Sequence, residues 1–69
     1  MSYDSIALFV ERAQRVLWKF RLSDSNATAI SRICQFVEGM PLAIELAASA
    51  VDILSPQEIS RRLETDYKV

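Results

Sequence analysis

Apolar and polar residues recur along this chain with the three-and-four spacing of amphipathic helices. The first such stretch follows Asp4, and its apolar face consists of Ile6, Phe9, Val10, Ala13, Val16 and Leu17. Because charged and amide side chains fall largely on the other side, the pattern predicts a first helix over about residues 4–18. Ser2 or Asp4 is placed to cap it. We expect the rings of Trp18 and Phe20 to cover the edge of a small core.

The second and third predicted helices are separated by a turn that contains the only glycine of the chain. Ser23 is placed to cap a helix over about residues 24–37, whose apolar side chains again repeat at one-turn intervals. Gly39 supplies the left-handed backbone that ends helices at low cost. Pro41 then suits the first turn of a helix over about residues 41–53, where its missing amide hydrogen costs nothing.

The third predicted helix is apolar on nearly every side, with Glu45 as an isolated carboxylate that needs solvent or a partner. A helix of this kind is typically central in a bundle. Ser55, Pro56 and Glu58 then form a start signal of serine cap, proline in the first position and glutamate at the third, which predicts a fourth helix over about residues 56–64.

The predicted fold is therefore an all-α, compact bundle of about four helices. No repeat, low-complexity tract or linker interrupts the sequence, so the predicted domain organisation is a single helical domain over residues 1–69. A chain of 69 residues has no room for an enzyme core together with a substrate domain.

Composition excludes most catalytic templates. One glycine cannot build a glycine-rich phosphate loop, and the absence of histidine excludes Cys/His zinc sites, serine triads and Cys-His pairs. Cys34 is the only cysteine and lies in an apolar run, where we expect a buried thiol in a reducing cytosol rather than a reactive one. We therefore predict no catalytic residue, no metal site and a cytoplasmic location.

Charge and hydropathy narrow the partners. Eight basic and nine acidic residues give a net charge of −1, which disfavours direct binding of nucleic acid. No apolar stretch is long enough to cross a membrane. Hydrophobic residues nevertheless make up 51% of the chain, more than so small a core can cover. We expect some apolar surface to face something outside this chain, and the isolated chain to be a monomer or a weak dimer through that surface.

The run Gly39-Met40-Pro41-Leu42-Ala43-Ile44-Glu45-Leu46-Ala47-Ala48, followed by Leu54-Ser55-Pro56, carries a resemblance that periodicity does not supply. It resembles the helical lid subdomain of the signal-transduction ATPases with numerous domains, especially the NB-ARC-like modules of bacterial transcriptional regulators. The likeness extends over essentially the whole chain, from the opening residues Ile6-Ala7-Leu8-Phe9 to the final helix.

The resemblance implies a nucleotide site. In that family the Gly-any-Pro turn contacts the adenine side of ADP or ATP, so it assigns this contact to Gly39 and Pro41. A glycine permits close backbone approach, and a proline ring offers a rigid apolar face to a purine. Two departures stand out: Met40 replaces a more usual leucine, and Ala50 and Asp52 stand where bacterial relatives often carry basic residues.

These features together predict a lid module from a larger multidomain ATPase. Its partners would be an upstream phosphate-loop domain and downstream effector domains, and ADP or ATP would bind only in the full-length parent. The isolated chain should have no ATPase activity, because the phosphate loop and the magnesium-binding strand are missing from it. An alternative is a small helical adaptor that binds a partner helix and no nucleotide. DNA binding through a helix-turn-helix is a third hypothesis, which the acidic charge opposes.

Overall fold

Local capping residues and the two prolines set the ends of the helices. The computed structural model describes residues 3–66 and the side chains of residues 5–65, so the predicted cap at Ser2 or Asp4 lies outside the described side chains. Within these bounds the chain forms four helices and no strand: α1 (Tyr3–Val16), α2 (Asp24–Phe36), α3 (Pro41–Ala48) and α4 (Pro56–Asp66). The predicted all-α bundle of four helices is confirmed.

The predicted start signals of the last three helices are confirmed as well. Ser23 has extended backbone before α2, and its N–H donates to Asn26 Oδ1 at 2.9 Å. Pro41 occupies the first turn of α3. Before α4, Ser55 Oγ accepts a hydrogen bond from the N–H of Glu58 at 3.2 Å, as a serine cap should.

Two helix pairs dominate the packing. The helix α1 lies against α3, and α2 lies against α4, with smaller contacts that join α1 to α2 and α2 to α3. All four helices and the segments that follow α1 and α3 contribute to one core: Phe9, Ala13, Phe20, Ile30, Ile33, Cys34, Ile44, Ala48, Val51 and Ile59. The rings of Phe9 and Phe20 are 6.3 Å apart between centroids and tilted by 54°, a separation within the range of interacting aromatic pairs.

The end of α1 differs from the prediction. The helix stops at Val16, two residues early, and a turn closed by the N–H of Phe20 and the carbonyl of Leu17 follows. This turn directs Phe20 into the core and leaves Trp18 71% exposed, so the prediction that both rings cover the core is wrong for Trp18. Gln14 Nε2 donates to the Phe20 carbonyl at 2.9 Å and fixes the turn against α1.

The third helix is shorter than predicted. It ends at Ala48 rather than near residue 53, because Ser49 Oγ bonds the carbonyl of Leu46 at 2.6 Å and the next amides bond three residues back rather than four. The tighter turns still place Val51 in the core. They therefore preserve the inward face that the pattern indicated without continuing the α-helix.

The prediction that α3 is central is also wrong. Its inner face holds Ile44 and Ala48, which are fully buried, but Leu42 and Leu46 are 80% and 75% exposed. Four short helices enclose only one side of α3, since α1 covers it closely and α2 touches it lightly. The apolar residues on every side of α3 therefore do not indicate a central helix. One of its apolar faces is left exposed.

Candidate functional site

The two residues that the resemblance assigns to nucleotide contact lie where α2 gives way to α3: Gly39 in the turn between them, and Pro41 as the first residue of α3. The turn closes with two hydrogen bonds, from the N–H of Glu38 to the carbonyl of Gln35 and from the N–H of Gly39 to the carbonyl of Cys34, at 3.0 and 2.9 Å. This pair of bonds is the Schellman motif, which satisfies carbonyls at a helix end. Helix α2 is thus stopped at this turn, as predicted.

The left-handed position in this motif belongs to Glu38 as well as to Gly39. Their φ angles are 57° and 71°. Gly39 was expected to supply the left-handed residue, but the residue that directly follows the Val37 cap is Glu38, and it adopts that conformation despite its side chain. A non-glycine residue at positive φ is uncommon because its Cβ approaches its own backbone.

The two predicted site residues are close in the chain but differ in surroundings. A Cβ added at Gly39 would lie 3.3 Å from Ser5 Oγ, so the glycine lets the turn approach α1 closely. Pro41 is exposed at the start of α3, and Met40 between them is 61% exposed. The turn therefore presents a proline ring and a thioether side chain to solvent beside a glycine backbone.

Next to this turn lies an apolar groove of about 470 Å³. It is formed by the end of α2, the turn that follows, one face of α3 and the inner side of α4. We call it the apolar groove, and its lining residues are Phe36, Val37, Glu38, Met40, Ala43, Leu46, Ala47, Ile59 and Leu63. Eight of these nine residues are apolar and the ninth is Glu38. Gly39 and Pro41 are not among the lining residues, although Met40 is.

Sequence reasoning missed the apolar groove. It did predict excess apolar surface, and exposed large hydrophobic side chains are present, among them Met40, Leu42, Leu46 and Ile53. The available signal is the all-round apolar pattern of α3, from which the sequence analysis predicts burial. In a bundle of four short helices the same pattern indicates an outer apolar face.

An ion pair joins α1 to α3. Arg12 Nε on α1 lies 2.9 Å from Glu45 Oε2 on α3, and both side chains are partly exposed. Glu45 thus has the partner that the sequence indicated it needs. The contact is a close approach of charges rather than an aligned hydrogen bond, so we assign it a modest role in fixing α3 against α1.

Helix α4 carries a second charge cluster in its first two turns. Glu58 accepts hydrogen bonds from Arg61, at 2.7 and 2.9 Å, and from Arg62, at 3.3 Å. The bond from Arg61, more than that from Arg62, lowers the pKa of the Glu58 carboxyl from its ordinary value. Of the predicted start signal, the serine cap and the proline therefore act at the helix start, whereas the Glu58 side chain pairs with arginines one turn ahead.

Three basic residues near the end of α1 were not recognised as a group in the sequence, because they are not consecutive. Arg15, Lys19 and Arg21 follow one another around the end of α1 without an intervening acidic residue. Arg21 donates to the carbonyls of Trp18 and Phe20, and Lys19 Nζ lies 5.4 Å from the centre of the Trp18 ring. These contacts and the negative end of the α1 dipole account for the cations as stabilisers of the helix end.

Reactive groups are scarce in the described part of the chain. Cys34 is fully buried, as predicted, and burial raises the pKa of its thiol, which keeps it protonated and poorly nucleophilic. Among the described residues no group of three or more cysteine or carboxylate side chains could hold a metal ion. None of the described helices is both long and apolar enough to cross a membrane.

Comparison with known proteins finds relatives that are much longer than this chain. An uncharacterized protein of Mycobacterium tuberculosis is 42% identical over 69 residues, which is all of this chain and 18% of that protein. Its counterpart in Mycobacterium bovis has the same identity and coverage. The chain thus spans less than a fifth of the length of these relatives. No family model matches the chain, and no solved structure does.

A second kind of relative has a functional name. A protein of Mycobacterium tuberculosis that is provisionally named an HTH-type transcriptional regulator is 39% identical over 66 residues, which is 96% of this chain and 8% of that protein. Nearly equal segments make up 18% of one relative and 8% of the other, so this sequence pattern occurs in proteins of different total length. The chain is similar to a segment of a protein named as a transcriptional regulator.

Proposed function

We propose that this chain is the helical lid module of an NB-ARC-like signal-transduction ATPase. The turn Gly39-Met40-Pro41 contacts the adenine of ADP or ATP, and the module couples the nucleotide state to effector domains in transcriptional regulation. The observation that carries the proposal is the exposed turn, in which a glycine backbone, a thioether and a proline ring adjoin at the start of a helix.

The local geometry of the turn suits an adenine contact. Gly39 allows the backbone to approach a flat ring closely, and Pro41 is held in a fixed ring conformation as the first residue of α3. Met40 adds a flexible, polarizable side chain that adapts to an apolar surface. These are the properties that a base-edge contact requires, and they lie within three consecutive residues.

The relatives support a role inside a longer regulatory protein. This segment matches less than a fifth of one relative and less than a tenth of another that is named as a transcriptional regulator. We infer from this that the remaining parts of such a protein supply the phosphate-loop domain and the effector domains. Coupling then requires two arrangements of the lid relative to the nucleotide domain, which ADP and ATP favour differently.

The isolated chain is not proposed to be an enzyme. Phosphoryl transfer depends on a positioned phosphate chain, a lysine or arginine clamp and a bound magnesium ion. Arg12, Arg32, Arg61 and Arg62 already pair with carboxylates of the same chain. We accordingly propose nucleotide as a ligand of the full-length protein. There a phosphate-loop domain outside this chain would make the phosphate contacts. Direct DNA binding by this segment is not proposed, because these pairs neutralise half of its eight basic residues.

The test is to titrate the full-length protein with ADP and to measure the affinity by isothermal titration calorimetry. Pro41→Ala should weaken binding about fivefold or more, because the rigid apolar contact to the base is lost. Gly39→Ala should weaken it too, but its φ of 71° makes this substitution strained, so Pro41 gives the cleaner result.

Pro56→Ala is the control for the loss of a proline at a helix start, although Pro56 is buried and Pro41 is exposed. Pro56 occupies the first position of α4 as Pro41 does in α3, so both variants lose the same helix-start preference. We expect Pro56→Ala to leave the ADP affinity unchanged. Equal affinities for the wild-type protein and both proline variants would contradict the proposed contact.

A helical adaptor with no nucleotide role is the second candidate, and the apolar groove is the observation that favours it. A groove lined by eight apolar residues accepts the apolar face of a partner helix. The two functions differ in the same titration, since an adaptor would bind no ADP in any variant. A lid can also use the groove, for contact with a neighbouring domain.

A further inference from the structure

We propose that the apolar groove binds an amphipathic helix of another polypeptide segment, and that this helix places a lysine or arginine against Glu38. This inference goes beyond the nucleotide contact, because it concerns a surface that Gly39 and Pro41 do not line. It names both the shape and the charge of the partner.

The apolar part of the groove fits a helix. Residues from α3 and α4 form its two sides, with Leu46 on one and Leu63 on the other. Leu46 is 75% exposed and Met40 61%, so both are available to contact a partner. An amphipathic helix that lays side chains at positions i, i+3, i+4 and i+7 into such a groove removes this surface from water.

The charge of the partner follows from Glu38. Among the described residues it is the only charged one that lines the groove, and none of the described lysines and arginines lies within ion-pair distance of its carboxylate. The last turn of α2 has no basic residue either, so the negative end of that helix adjoins the same rim. A cation on the incoming helix would meet both.

The backbone at Glu38 is a further reason to assign it a role. Its φ of 57° is a conformation in which glycine is the cheaper residue, yet a carboxylate stands there. A side chain that is kept in an unfavourable conformation at the rim of an apolar groove is well suited to select the charge of what enters the groove.

A second copy of this chain fits less well through α3. That helix offers an exposed apolar face, but its only charged residue is Glu45, so pairing it with the groove would bring carboxylates toward the Glu38 rim. The end of α1 also exposes apolar side chains, Leu17 and Trp18 among them, but they follow the last helical residue, Val16, and do not form a helix face. An incoming amphipathic helix with a cation at its edge therefore complements the groove better than either surface.

The probe is a synthetic helical peptide of about 18 residues, long enough to cover several turns, with leucines along one face and a single lysine at the edge of that face. A second peptide has glutamate in place of the lysine. Each is titrated into the ¹⁵N-labelled 69-residue chain, and shifts of backbone amide signals locate the binding surface.

We expect shifts at the groove residues and an affinity about threefold to fivefold higher for the lysine peptide, the size of an exposed ion pair. The variant Glu38→Lys should reverse the order of the two peptides. Leu46→Ser should weaken both about tenfold, while Ile53→Ser, which removes an equally exposed side chain outside the groove, should not.

Three results would overturn the proposal. The first is that neither peptide produces shifts at the groove residues. The second is an equal affinity for the two peptides in wild-type protein and in Glu38→Lys. The third is a dimer in sedimentation equilibrium whose interface, mapped by concentration-dependent amide shifts, occupies the groove.

Discussion

Glu38 combines a left-handed backbone with a charged side chain at the end of α2. Its N–H closes one bond of the Schellman motif, and the next residue, Gly39, shares the positive φ. A left-handed conformation costs an ordinary L-residue about 1–2 kcal/mol, whereas glycine adopts it without that cost. The chain therefore gives up stability at this position.

The variant Glu38→Gly should raise the free energy of unfolding by about 0.5 kcal/mol. Glycine removes the left-handed strain, which stabilises the folded chain, but it also gives the unfolded chain more conformational entropy, which destabilises the fold. We expect the first effect to be larger by about 0.5 kcal/mol. Urea denaturation followed by circular dichroism measures the difference. Gln35→Gly is the matched control: it lies in the right-handed last turn of α2 and should destabilise by about 1 kcal/mol. A loss of stability in both variants would refute the strain at Glu38.

Sequence reasoning at this scale succeeded where the cause is local. Pro41 and Ser55 act on the backbone within one turn, so their roles as helix starters could be predicted without knowledge of the rest of the fold. The choice between Trp18 and Phe20 could not, because the turn after α1 decides which ring meets Phe9. The left-handed backbone of Glu38 could not be predicted either, because nothing in its residue type indicates that conformation.

Among the elements, α3 has two apolar faces with different roles. Ile44 is fully buried against α1, whereas Leu46, two residues later, is 75% exposed. The helix therefore presents one face to the core and the other to the apolar groove and solvent. Periodicity could not reveal this, since it reports which residues are apolar but not how many neighbours a helix has.

The two faces should respond differently to substitution. Ile44→Ala should lower the free energy of unfolding by about 2–5 kcal/mol, because it leaves a cavity in the core. Leu46→Ser and Leu42→Ser should each change it by no more than about 0.5 kcal/mol, as substitutions at exposed positions do. Chemical denaturation of the three variants checks this. A cost for Leu46→Ser similar to that for Ile44→Ala would mean that α3 is enclosed on both sides.

Helix α4 should impart a pH dependence through Glu58. Arg61, and then Arg62, lower the pKa of this carboxyl in the folded chain below its ordinary value. A carboxyl whose pKa falls on folding adds stability that is fully present above the unfolded pKa and is lost as the pH falls through the lower folded pKa. The Glu58 contribution should therefore be present near neutral pH and disappear in acid.

The measurement is the midpoint temperature of thermal unfolding, for wild-type protein and for Glu58→Gln, from neutral pH into acid. We expect Glu58→Gln to unfold at a lower temperature at about pH 7, and the two curves to converge in acid. Arg61→Gln should reduce the same pH-dependent difference, because it removes the stronger partner. A difference that persists unchanged in acid would show that the Glu58 charge is not its source.

Considered as a whole, the molecule is a small bundle whose two candidate surfaces meet at Met40, just before α3. Its radius of gyration is 10.7 Å, and a bundle of this size leaves much apolar surface uncovered. The Gly39-Met40-Pro41 turn and the apolar groove share Met40, so a ligand at one surface and a helix at the other would influence each other.

The all-α fold and the number of helices could be predicted from periodicity and capping, both of which are local. The apolar groove could not, because its lining comes from α2, α3 and α4 and depends on how these helices cross. The nucleotide contact at Gly39 and Pro41 rests on resemblance. It stays a prediction until a nucleotide is placed on the turn.

Photoaffinity labelling of the full-length protein with 8-azido-ADP tests the central claim most directly. The reactive group sits on the adenine ring, so it attaches to residues that contact the base. Trypsin releases the residues between Arg32 and Arg61 as one peptide that contains the turn. We predict that this peptide is labelled at or beside Met40 and that excess ADP prevents the labelling. Labelling that ADP prevents, but that lies entirely outside this peptide, would contradict the account.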